Sequence, residues 1–194
     1  MDTLTTIDDA EADIAALVYG SDDRPDLVLQ AFACEVAASG RRVCGLIQMR
    51  DHKADDIKRK VLVLDAWDVV DVNCEAAANG EARCFIDGQW LGQLAAGVQA
   101  SIRQGVDVVI VNRFGSLEAA GRGFCGAIKA ASETETPLII AVPEWEFERW
   151  TRFSSGMTVR LTCSLDQVMG WWQRVMLPSP QALVPSPRAC ELLK

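Results

Sequence analysis

The chain is poor in the side chains that most often carry chemistry. It has one histidine, His52, and one tyrosine, Tyr19, in 194 residues. A Ser-His-Asp or Cys-His arrangement would have to be built on His52, and no G-x-S-x-G nucleophile elbow occurs. His52 can act as a base or a pH-sensitive anion contact, but beside Asp51 it reads as an exposed loop residue. The seven cysteines are odd in number and form no C-x-x-C pair. With no clustered thiolates and a single imidazole, the pattern argues against a structural zinc site. Cys44, Cys125 and Cys163 lie in apolar segments, as free thiols do when they serve as small buried hydrophobes in a reducing compartment.

Positive charge is also scarce. Lys and Arg number 19 against 27 Asp and Glu, a net charge of −8, which excludes nucleic acid or an anionic membrane as the main partner because both require a basic surface. No apolar run approaches the roughly 20 residues of a membrane span. The acidic start MDTLTTIDDAEAD has no signal-peptide core. The expectation is a soluble cytoplasmic protein with one domain over 1–177, a flexible lead at 1–12 and a Pro-rich tail at 178–194. That tail holds four of the seven prolines and is expected to wrap the surface or stay loose.

What is present is a regular alternation of apolar runs. Ile14–Tyr19 (IAALVY) predicts a buried strand. Pro25, placed as at a first helical position, opens a helix with apolar residues at Leu27, Leu29, Phe32, Ala33, Val36 and Ala37, closed by Ser39-Gly40. Val43–Met49 is the next strand, so the first fifty residues predict a βαβ unit with a right-handed crossover. Val61–Leu64, Val69–Val72 and Arg83–Ile86 predict short strands in a hairpin or meander at one edge. Leu91–Gln104 predicts a helix, and Val106–Val111 a central parallel strand buried on both faces. Phe124–Ser132 (helix), Pro137–Val142 (strand), Thr158–Cys163 (edge strand) and Leu165–Met176 (helix) follow. Glu144–Phe153 is ambiguous between helix and extended chain.

This order predicts an α/β fold of Rossmann-like, P-loop-hydrolase layout: a mostly parallel sheet with helices on both faces. Such sheets bind ligands beyond the carboxyl ends of their strands. After the first strand a phosphate loop should read G-x-x-x-x-G-K-[ST], but the chain reads Gly20-Ser21-Asp22-Asp23-Arg24-Pro25-Asp26. The second Gly, the Lys and the hydroxyl are missing, so the loop is degenerate. Asp22, Asp23 and Asp26 would repel polyphosphate. They form a capped turn or, for Asp22 and Asp23, a metal contact. After the second strand stand Gln48 and Arg50. After the central strand come Asn112 and Arg113, where a nucleotide hydrolase needs acids for Mg²⁺, then Gly115, Glu118, Gly121, Arg122 and Gly123.

Arginine's planar fork suits oxyanions. Arg50, Arg113 and Arg122 are therefore expected to gather on one rim, with Gly20, Ser21, Gln48 and Asn112 nearby. The alternative is that each pairs with a local carboxylate, Arg113 with Glu118 for instance. Trp145, Phe147, Trp150 and Phe153 either lid a pocket or pack the core.

The stretches Gly45-Leu46-Ile47-Gln48-Met49-Arg50-Asp51 and Val109-Ile110-Val111-Asn112-Arg113-Phe114-Gly115, followed by Glu118-Ala119, Gly121-Arg122-Gly123-Phe124 and Trp150-Thr151-Arg152-Phe153, resemble a bacterial domain-of-unknown-function family. Its members often carry the name molybdenum-transporter ATP-binding protein, and the family resembles P-loop nucleoside triphosphatases. The resemblance runs from about Ile14 to Leu161 and implies a P-loop fold associated with molybdenum uptake or molybdenum enzymes.

The leading expectation is a non-hydrolytic binding protein for a small anion, with molybdate or tungstate favoured. A divergent nucleotide-binding protein or triphosphatase using Mg-nucleotide, with a metal at Asp22 or Asp23 and Glu118, is the second. The third is a regulatory module or homodimer meeting its partner through Trp171-Trp172, with one indole exposed.

Overall fold

The computed structural model describes residues 12–49, 58–73 and 88–177. The lead, Arg50, Asp51, His52, the Arg83–Ile86 segment and the Pro-rich tail lie outside them. Seven strands form one sheet: β1 Ile14–Tyr19, β2 Val43–Met49, β3 Lys58–Val63, β4 Asp68–Asn73, β5 Val108–Val111, β6 Leu138–Pro143 and β7 Val159–Thr162. The helices are α1 Pro25–Ala38, α2 Gly88–Arg103, α3 Ser116–Ala119, α4 Cys125–Glu133, α5 Phe147–Phe153 and α6 Leu165–Val175, with a 3-10 turn at Glu144–Glu146 before α5. Among the described residues no helix is long and apolar enough to cross a membrane.

The strand order is β4-β3-β2-β5-β6-β1-β7. β2, β5, β6, β1 and β7 run parallel, while β3 and β4 append an antiparallel hairpin at one edge. The strand–helix–strand start is as expected, but β1 and β2 are not neighbours, because β5 and β6 lie between them. β5 stands at the middle of the sheet. Alternation along the strands divides the core in two. Ala15, Leu17, Val108, Ile110, Ile139 and Ala141 face α1 and α6, whereas Ala16, Val18, Val109, Val111, Ile140 and Val142 face α2, α4 and α5.

Three details differ from the sequence reading. β5 begins at Val108, because Asp107 terminates the approach: its carboxylate accepts the Arg42 N–H at 2.7 Å and Arg41 Nη1 at 2.9 Å. The ambiguous stretch at 144–153 is helical after its first turn. Trp171 and Trp172, expected to offer a partner surface, are instead 1% and 6% exposed. Both pack on Phe32, at centroid distances of 6.4 and 5.9 Å, and Trp171 Nε1 donates to the Ala12 carbonyl at 3.1 Å. Two adjacent indoles are buried together because the α1–α6 seam is wide enough to take both.

Burial pushes the Asp107 carboxyl up, but the Arg42 N–H and the Arg41 and Arg42 charges outweigh it and hold it below its ordinary value. A depressed carboxylate stabilises the fold above its unfolded pKa and loses that contribution as pH falls through the folded one. Asp107→Asn is therefore expected to flatten the acid side of the stability curve below about pH 4, as read by urea unfolding at stepped pH. An unchanged acid limb would refute this role.

Candidate functional site

The carboxyl ends of β1, β6, β5 and β2 make one rim. On it, the loop after β1 is closed upon itself. The Gly20 N–H, which would face a phosphate in a phosphate loop, donates to Asp23 Oδ2 at 2.7 Å. Arg24 grips the buried Asp26 with Nε and Nη2 at 3.1 and 2.8 Å. The first free helical amides, of Leu27 and Val28, turn back to the Arg24 carbonyl, while Pro25 has no N–H to offer. Ser21 and Asp22 are exposed. An internal carboxylate thus holds the position an anion would take, as the helix dipole favours.

At the end of β5, Asn112 is 5% exposed and donates from Nδ2 to the Gln48 carbonyl at 3.2 Å. Its Oδ1 is buried and has no partner among the described residues. Facing a carbonyl, the amide is fixed with its nitrogen toward Gln48. Arg113 is exposed and lays its guanidinium over the Tyr19 ring, 5.8 Å from the centroid. No carboxylate among the described residues pairs with it. Phe114 then turns inward, fully buried, and its N–H donates to the Ala141 carbonyl at 2.8 Å.

The loop from Gly115 to Phe124 is organised by Glu118. This side chain points inward, accepting the Gly115 N–H at Oε2 (3.1 Å) and the Phe124 N–H at Oε1 (3.2 Å). Burial pushes its carboxyl above the ordinary value, against the pull of those N–H groups. Gly121 and Gly123, at φ +74° and +56°, hold Arg122 between two left-handed turns, and a Cβ on Gly123 would stand 2.3 Å from Glu118 Oε1. The loop is therefore a braced scaffold that presents Arg113 and Arg122 outward. Glu118→Ala would orphan two backbone donors, each worth about 1–3 kcal/mol when buried. The expected loss is roughly 2–4 kcal/mol in urea unfolding, and a loss below about 1 kcal/mol would mean that the loop is held otherwise.

The structure thus joins Asn112 with Gln48, Glu118 with Gly115 and Gly123, and Arg113 with Tyr19. The alternative of an Arg113–Glu118 pair does not form, because Glu118 is turned into the protein. Glu118 is likewise unavailable to share a metal with Asp22 or Asp23. Among the described residues no three His, Cys, Asp or Glu side chains converge. With Asp23 on the Gly20 N–H and an amide at Asn112, these residues do not fit a magnesium triphosphate held in the phosphate-loop manner. The sequence reading passed over Tyr19 as a strand residue. Its signal was the position of the only tyrosine, immediately before the β1 loop.

This sheet, with its loops gathered at the carboxyl ends, defines an α/β protein of the P-loop nucleoside-triphosphatase fold. The solution structure of a human cancer-related nucleoside triphosphatase superposes with a TM-score of 0.52 at 16% identity, over 76% of this chain and 87% of that one. The crystal structure of THEP1 from the hyperthermophile Aquifex aeolicus superposes with a TM-score of 0.59 at 8% identity, over 84% and 96%. The chain belongs to the family described as protein of unknown function (DUF2478), whose profile matches residues 14–171. It is also 30% identical over 176 residues to the Molybdenum import ATP-binding protein ModC 2 of Bradyrhizobium diazoefficiens. That match spans 88% of this chain but only 20% of the relative.

Proposed function

We propose that this chain binds a small oxyanion, of the molybdate or tungstate type, at the rim formed by the loop after β5, and that it does so without hydrolysing a nucleotide. The observation that carries this reading is the Arg113 guanidinium, held over Tyr19 at the carboxyl end of the central strand with no carboxylate partner among the described residues. Arg122 stands on the same braced loop. Gly121, with nothing within 4 Å of its open side, leaves the loop's backbone accessible to a ligand, and Gln48 and Asn112 border it. Charge-assisted bonds are worth about 1.5–3 kcal/mol each. Two or three of them support binding near the micromolar range after association costs. The chemistry of the relative's name, molybdenum import, favours molybdate among the tetrahedral oxyanions.

The fold likeness and the words "ATP-binding" in the relative's name favour a second reading, in which the same rim binds a nucleotide. A thermal-shift series with molybdate, tungstate, sulfate, phosphate, ATP and GTP, each with and without Mg²⁺, separates the two. A ligand that binds only the folded chain raises its Tm once its concentration exceeds Kd. A rise with molybdate or tungstate alone supports the first reading. A rise with Mg-nucleotide alone replaces it with the second.

A further inference from the structure

On the α2–α4–α5 face of the sheet, α4 and α5 leave a half-open pocket of about 250 Å³. Ile14, the first residue of β1, lies at its base. One wall is Phe153, stacked on Trp150 behind it at 5.7 Å with their planes 28° apart. Trp150 is fully buried, and its indole N–H is used by Thr158 Oγ1 at 3.2 Å, so it backs the wall from inside the core and offers no donor. The Cys125 and Met157 side chains complete a lining that is mostly apolar. Met157 is 56% exposed at the margin. The chain reaches it through Ser155 and Gly156, consecutive residues in the left-handed region at φ +54° and +76°. These residues close the C-terminus of α5, the Gly156 N–H donating to the Thr151 carbonyl at 2.9 Å.

The rim is polar on one side. Lys129 and Ser132, one helical turn apart on α4, border the opening. The Lys129 ammonium is held only loosely, 3.8 Å from Glu133, with both groups well exposed. We infer that the pocket between α4 and α5 binds a small aromatic anion, its ring system against Phe153 and its carboxylate toward Lys129 and Ser132. A cavity of about 150 Å³ accepts benzene, so this larger one suits a two-ring system. Flat rings gain from offset or edge contact with aromatic walls and from neighbouring sulfur, more than an alkyl chain does. The site is independent of the oxyanion reading and lies on other elements.

The probe is 2-naphthoate, titrated calorimetrically into the full chain beside its neutral analogue 2-naphthalenemethanol. The unmodified protein is expected to bind naphthoate with Kd below about 1 mM. Ser132→Trp, at an exposed position, fills the mouth and should weaken binding at least tenfold. Lys129→Met should weaken naphthoate about two- to fivefold, as fits an exposed ion pair, and leave the alcohol unchanged. Circular dichroism checks that both variants fold. No heat with the unmodified chain at several millimolar, or uptake by Ser132→Trp equal to that of the unmodified chain, overturns the site. Equal binding of acid and alcohol, with no effect of Lys129→Met, overturns the assignment of an anion.

Discussion

Arg113→Ala is expected to weaken molybdate binding by about 10- to 150-fold, the loss of one charge-assisted bond worth about 1.5–3 kcal/mol, while Tm stays nearly unchanged. The two halves of this expectation have separate origins. Arg113 is exposed and makes no ion pair among the described residues, so the fold loses only its contact with the Tyr19 ring. Such a contact at an exposed site is worth roughly 0.5–1 kcal/mol. The ligand, by contrast, loses a planar donor that no neighbour replaces. Arg113→Lys keeps the charge but not the fork, and should recover only part of the affinity. Isothermal titration with molybdate on protein of verified Tm makes the measurement. Unchanged affinity in Arg113→Ala would remove the residue from the site and the oxyanion reading with it. A collapse of Tm would instead make the arginine a structural brace.

The largest effect on stability is expected at Gly45. This residue sits inside β2 at φ +119°, paired with Ile110 of β5, and its own carbonyl accepts the Leu64 N–H at 3.0 Å. A Cβ built there would lie 2.0 Å from the Ile110 carbonyl oxygen and 2.9 Å from that residue's nitrogen and carbon. Those atoms are backbone of the central strand, fixed by pairing on both sides, so they cannot retreat. Gly45→Ala thus combines a forbidden dihedral with a clash in the middle of the sheet. A loss above about 4 kcal/mol is expected, enough to unfold a chain of ordinary marginal stability. Gly97, inside α2, meets nothing within 4 Å. Gly97→Ala should therefore stabilise by up to about 1 kcal/mol through helix propensity alone. Soluble yield and urea midpoints of the two variants, measured side by side, decide it. A soluble Gly45→Ala with an unshifted midpoint would show that β2 and β5 can separate.

The elements were legible where the apolar pattern is unbroken. IAALVY, VCGLIQM and LIIAV can only be strands of a sheet covered on both faces, and Pro25 with the three- and four-residue spacing to Val36 marks α1. The failures are equally physical. α3 is four residues long between Gly115 and Gly121, too short to show a period. Trp171 and Trp172 are adjacent on a helix, where a one-sided seam would expose one of them. Phe32 and the wide α1–α6 contact bury both. Within the candidate site the residue types were readable, since a loop without its Lys and a central strand ending in Asn112-Arg113 are visible in the letters. Their partners were not. Glu118 could be read as a partner for Arg113 or for a metal, and it turns instead to the Gly115 and Phe124 amides.

By itself, then, the amino-acid order determined the α/β class, the gathering of loops at the strand ends and the absence of a G-x-x-x-x-G-K-[ST] motif after β1 and of an acidic pair after β5, because these depend on local periodicity and on which side chains exist. Only the tertiary structure decided that β5 and β6 separate β1 from β2, that Asp23 satisfies the Gly20 amide and that Arg113 lies over Tyr19. Strand order and side-chain partnership come from packing between segments far apart in the chain. Interchangeable runs of valine, isoleucine and leucine do not encode which neighbour each will meet.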